Sequence, residues 1–143
     1  AAELTGRLYR KGIGIDRNYI KARSWLRRAR KRGAIGADME LALLYADPDF
    51  HGRDRSQAEQ YFQNALNKRD PRACLVVVRA KHEQGIALRQ ILREITCAAE
   101  GGEPVAMRML ADYLDNTASP KAKAEAELWR DKAILAEQNP SLP

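Results

Sequence analysis

The chain has 143 residues, of which 45% are hydrophobic, 6% aromatic and 31% charged, and its net charge is +6. That length holds one domain with a real core, in a soluble globular composition whose Ala, Leu, Arg and Glu favour helix. It excludes a membrane-spanning helix, because no apolar run approaches the roughly 20 residues required; with only Cys74 and Cys97, it also excludes a disulfide-framework protein.

The charge is unevenly spread. Residues 1–36 carry 11 Lys and Arg against Glu3 and Asp16, while residues 37–143 carry 14 against 17. Basicity therefore belongs to the first quarter of the chain. The sequence lacks an initiator Met and a charged-then-apolar leader, so it reads as a fragment or processed form of a longer protein.

Taken in order, apolar spacing predicts helices near 2–11, 18–32, 37–46, 55–68, 71–84, 87–100, 104–115 and 120–137. Asn18, Asp54 and Ser119 are good N-caps, the last followed by Pro120 at a first helical position. Gly12 and Gly14 form a turn after the first helix; Gly33, Gly36, Gly101 and Gly102 break the chain after second helices. Cys74 and Cys97 fall inside helical stretches beside Ala73 and Ala98, where buried free thiols are expected.

These elements repeat. Leu8-Tyr9 and Leu44-Tyr45 are 36 residues apart, as are Asn18 and Asp54, Ala22 and Ala58, Trp25 and Tyr61, and Ala29 and Ala65. The spacing then shortens to 33 between Ala65 and Ala98, which places a deletion in the loop at Gly85. Units of approximately 1–36, 37–72, 73–105 and 106–137 result, each a pair of helices within a single repeat domain.

Catalytic signals are sparse. His51 and His82 lack metal-ligand spacing, Gly12-Ile13-Gly14 lacks the remainder of a phosphate loop, and no serine sits in a nucleophile elbow. We therefore expect no enzyme, no metal and no cofactor. The run Arg23, Arg27, Arg28, Arg30, Lys31 and Arg32 lies away from the Ala22, Trp25, Leu26 and Ala29 stripe. A solvated outer face explains it, and a patch for nucleic acid or an acidic partner is the functional alternative. With Trp25 on the inward stripe, no aromatic residue interleaves the arginines on the outer face for base stacking, which disfavours nucleic acid. In the last helix, Leu128 and Leu135 occupy positions that are Ser24 and Lys31 in the first unit. Terminal repeats need covering, so these leucines are expected to meet the tail at Leu142, a second copy of the chain or a partner.

The stretch from Ala1 to Gly33, with G-x-L-Y-x-x-G-x-G-I, then N-Y-x-K-A-x-x-W-L-x-x-A and a closing Gly, resembles the Sel-one-like repeat family, relatives of tetratricopeptide repeats. The second unit replaces the glycine loop with DPDFHGRD, and the third departs most, with Lys81 where the family has Tyr. The resemblance implies an all-α, right-handed solenoid of about four helix pairs whose concave surface, lined by first helices, grips a peptide or protein. Helical phase together with that resemblance nominates Glu3, Arg7, Arg10, Glu40, Arg79, His82, Arg108 and Asp112 on the exposed side of those helices. It implies a non-catalytic scaffold or adaptor in bacterial settings such as envelope assembly, polysaccharide export or effector neutralisation, and leaves periplasm and cytoplasm both open. The alternative is a structural segment of a larger multi-repeat protein. One branch of the family staples repeats with cysteines eight residues apart. Leu66 occupies that position relative to Cys74, so the resemblance also favours free thiols.

Overall fold

A computed structural model describes residues 1–139, and among these residues the secondary structure is entirely helical. The chain divides between Asp70 and Pro71 into two compact units. The first holds α1 (Ala2–Lys11), α2 (Tyr19–Lys31), α3 (Ala37–Ala46) and α4 (Arg55–Asn67). The second holds α5 (Pro71–Glu83), α6 (Leu92–Glu100), α7 (Pro104–Asp115) and α8 (Pro120–Gln138).

In the first unit the repeat in sequence is also a repeat in hydrogen bonding. The Asn18 amide donates to the Tyr9 carbonyl at 2.9 Å and the Asp54 amide to the Tyr45 carbonyl at 3.0 Å. Each side chain then caps the helix that follows, accepting from Lys21 N at 3.0 Å and from Gln57 N at 3.2 Å. The glycine turn and the DPDFHGRD loop thus deliver the chain to the same N-cap geometry. The helix ends repeat as well. The carbonyls of Ala29, Ala65 and Ala98 each accept from the amide five residues on, at Ala34, Asp70 and Glu103.

Helix α3 is the centre of this unit. It packs on α1, α2 and α4, and eight of its ten residues are buried. A helix apolar all round belongs inside, yet α3 also carries Asp38 and Glu40, which are 0% and 1% exposed. Around it Ala22, Leu26, Leu41, Leu44, Tyr45, Phe50 and Ala58 form the core. Tyr45 stacks on Tyr61 at 5.7 Å between ring centroids, and Phe50 lies 5.4 Å from Tyr19.

The close approach of α1 and α2 depends on Gly6. A Cβ there would sit 2.6 Å from Leu26 Cγ, and Leu26 is fully buried. Gly6→Ala should improve helix propensity by about 1 kcal/mol yet overpack the crossing by about 1–3 kcal/mol. We expect a net loss of stability, seen as a lower urea midpoint; a raised midpoint would mean that Leu26 can move aside.

In the second unit α6 packs between α5 and α7, and α7 packs on α8. Its buried side chains include Val78, Ile91, Ile95, Met107, Leu110 and the recurrent alanines 73, 98, 106, 111, 126 and 133. Two expectations are corrected here. The predicted helix over 87–100 begins only at Leu92, after a 3-10 turn at Leu88–Gln90. Ala87 and Ile91 have no side-chain acceptor to cap an α-helix start, and Ile91 is instead buried at 1% exposure.

The second correction concerns the cysteines. Cys74 and Cys97 form a disulfide, with Cα atoms 6.2 Å apart. The pairing joins the two helices of one pair, α5 and α6, rather than following the eight-residue register between repeats. The packing of α5 on α6 brings two residues 23 apart in sequence face to face.

Candidate functional site

The polar residues nominated on the first helices fall into two groups. In the first unit, Glu3, Arg7, Arg10 and Glu40 come together as one ion cluster. Glu40 Oε1 forms an ion pair with Arg7 Nε at 3.0 Å, and Oε2 accepts a hydrogen bond from Arg10 Nε at 2.9 Å and pairs with its Nη2 at 2.9 Å. Arg7 Nη2 reaches Glu3 at 3.1 Å. Glu40 is therefore not on an exposed face as expected: α3 is enclosed by its neighbours, and its carboxylate survives burial because two guanidiniums meet it. Eight residues after Arg30, Asp38 is the matching case; it accepts from Arg30 Nε at 2.8 Å and Lys68 Nζ at 2.6 Å.

In the second unit, Arg108 and Asp112 of α7 are exposed but engaged with α8. Arg108 makes a two-pronged pair with Glu137 at 3.0 Å on each arm. Arg130 donates to Asp112 at 3.2 Å and also to Asp115, contacts that raise its pKa. Arg79 and His82 differ. Both stand exposed on α5, three residues apart, and neither side chain makes a hydrogen bond or ion pair with a described residue. Leu128 and Leu135 are each 60% exposed along one line of α8, and Leu142 lies outside the described residues.

The basic run on α2 is not uniform. Arg30 is drawn inward to Asp38. Arg28 lies over the Trp25 ring at 4.9 Å, and Arg27 Nη2 donates to the Tyr45 hydroxyl at 3.0 Å. Arg28, Arg30 and Lys31 occupy the last turn, where cations favour the helix dipole. The remaining outer line forms a groove of about 330 Å³ lined by Ile20, Arg23, Ser24, Arg27, Arg28 and Lys31. Ile20 and Arg23 also border a recess of about 210 Å³ with Tyr19, Phe50, His51 and Gly52. The Tyr19 hydroxyl donates to Asp47 at 3.1 Å; loss of solvent and then this bond push its pKa upward.

Sequence reasoning missed this recess. Its signal was the aromatic Phe50 inside an otherwise polar loop where the first repeat has glycines. It missed Asp38 for a different reason: a carboxylate at the start of a helix reads as a dipole partner before it reads as a buried ion.

Helix pairs with repeated caps, repeated helix ends and alanine-mediated packing define an all-α repeat protein. The Sel1 repeat model matches residues 1–33 and 36–70, the first two pairs. Among solved structures, a Sel1 repeat protein from Oxalobacter formigenes is similar over 99% of this chain and 57% of its own, at 25% identity and a TM-score of 0.66. A protective antigen of uropathogenic Escherichia coli strains with an SLR fold is similar over 96% of this chain and 30% of its own, at 25% identity and a TM-score of 0.59. The chain thus spans just over half of one relative and under a third of the other. No curated protein matches the sequence. Residues 1–70 thus carry two repeats of the Sel1 family, whose members generally serve as scaffolds for protein–protein interaction, and the chain shares the fold of the Sel1 repeat protein over nearly its whole length.

Proposed function

We propose that this chain is a non-catalytic adaptor that holds a peptide or protein segment against the first helices of its pairs. The observation that carries this reading is the contrast on those helices. Glu3, Arg7, Arg10, Glu40, Arg108 and Asp112 are engaged in internal ion pairs, while Arg79 and His82 stand exposed without one. Polar groups with no internal partner are the ones free to specify an external one. Bacterial envelope assembly, polysaccharide export and effector neutralisation are the settings this reading fits. The disulfide favours an oxidising compartment among them.

The chain immobilised as bait, compared with an Arg79→Glu, His82→Glu variant, tests the assignment. The partner retained by the wild type should be lost from the variant while helix content is unchanged. Retention of the same partner by both would remove α5 from the binding face.

A further inference from the structure

We infer that the outer face of α2 is a docking surface for an acidic protein segment bearing one large apolar side chain at its end. The inference stands apart from the first-helix reading and concerns the opposite kind of surface.

The geometry comes from register. Ile20, Arg23, Ser24, Arg27, Arg28 and Lys31 follow the three- and four-residue spacing of one helix line, about 17 Å long. Elsewhere in the same unit cations meet carboxylates: Arg7 and Arg10 at Glu40, Arg30 and Lys68 at Asp38. Among the described residues, no carboxylate pairs with Arg23, Arg27, Arg28 or Lys31. Like charges four residues apart, at 23 and 27 and at 27 and 31, disfavour the isolated helix. A bound anionic segment would relieve that repulsion.

Two of the four heads are already positioned. The Tyr45 hydroxyl holds Arg27 and the Trp25 ring holds Arg28, so less side-chain freedom is lost when an anion arrives. At the N-terminal end of the line, the groove continues into the recess walled by Tyr19, Phe50 and Gly52, sharing Ile20 and Arg23 with it. Ile20 is 61% exposed at that junction. The recess has room for one apolar side chain, the usual anchor of a small interface.

This combination selects among anions. A phosphodiester backbone has no apolar group for the recess, and the groove that carries the cations is lined by no aromatic ring on which successive bases could stack. An anionic membrane would ask for an apolar helix face, but Ala22, Leu26 and Ala29 are buried in the core, leaving Ile20 alone on the outer line. A peptide with carboxylates at helical spacing and a terminal Leu or Phe satisfies both parts.

The test uses the whole chain and a fluorescent peptide of about twelve residues, the length of the groove. It carries glutamates three and four residues apart and a terminal Leu, and a control peptide replaces each Glu with Lys. We expect saturable binding of the acidic peptide alone, weakening as salt is raised. Arg23→Glu with Lys31→Glu should weaken it at least about tenfold. Ile20→Asp should weaken it too, with the salt dependence kept, whereas Arg79→Glu with His82→Glu should leave it unchanged. Equal affinity for the Arg23→Glu, Lys31→Glu variant would overturn the inference. So would tighter binding to a single-stranded oligonucleotide or to phosphatidylglycerol vesicles than to the peptide. Binding lost in the α5 variant but kept in the α2 variant would transfer the peptide to the first-helix face and overturn the inference likewise.

Discussion

Replacing Glu40 with alanine should unfold the first unit under conditions in which the unaltered chain is folded. The carboxylate is 1% exposed and is the shared counter-ion of Arg7 and Arg10, which are 22% and 12% exposed at their side chains. Removing it leaves two half-buried guanidiniums without their anion beside a helix enclosed by its neighbours. Breaking a buried pair from one side costs about 3–5 kcal/mol, a large part of the stability of a typical domain. A fall of that size in unfolding free energy, measured by urea denaturation, is the expected result. A companion variant separates charge from packing. Changing Glu40 to Leu together with Arg7 and Arg10 to Met removes the charges as a set and should recover most of the loss. Glu40→Ala within about 1 kcal/mol of the original chain would show that water reaches this cluster and that α3 does not depend on it.

The second large effect belongs to the other unit. Reducing the Cys74–Cys97 bond, or replacing both residues with serine, should destabilise the second unit by about 3 kcal/mol, since the bond closes a loop of 23 residues between α5 and α6. The effect should be local. Hydrogen exchange should accelerate in α5 and α6 while the amides of α3, in the other unit, keep their protection. A melting curve unchanged by reductant would show that the packing of Val78, Ile91 and Ile95 already fixes this helix pair.

The two effects divide the chain by mechanism. The first unit is held by aromatic packing and by two buried carboxylates on α3, each with two cations. The second unit lacks Asp38 and Glu40 equivalents at the matching positions, where Cys74 and Val76 stand. There the covalent bond and a core of alanines and branched residues hold the helices instead. This contrast follows the divergence of the third pair from the repeat pattern, where the loop at Gly85 is short and the Tyr of the family is Lys81.

The sequence by itself determined the helical class, the pairing of helices, their order and the family, because these depend on local periodicity and on capping residues. A 36-residue recurrence of Leu-Tyr, of Asn or Asp caps and of small residues needs no tertiary information to be seen, and the caps at Asn18, Asp54 and Ser119 formed as predicted. Tertiary structure alone decided which polar residues remained available. Helical phase puts Glu40 on the same side as Arg10-like surface positions, but phase is measured around one helix and burial depends on how many neighbours surround it. With α1, α2 and α4 all against α3, Glu40 became the interior partner of Arg7 and Arg10 rather than a surface group. The cysteine pairing was decided in the same way, by the packing of α5 on α6 across 23 residues. The basic run of α2, legible from the first reading, was sorted by its neighbours into an inward arginine, two steadied heads and an outward line of charge.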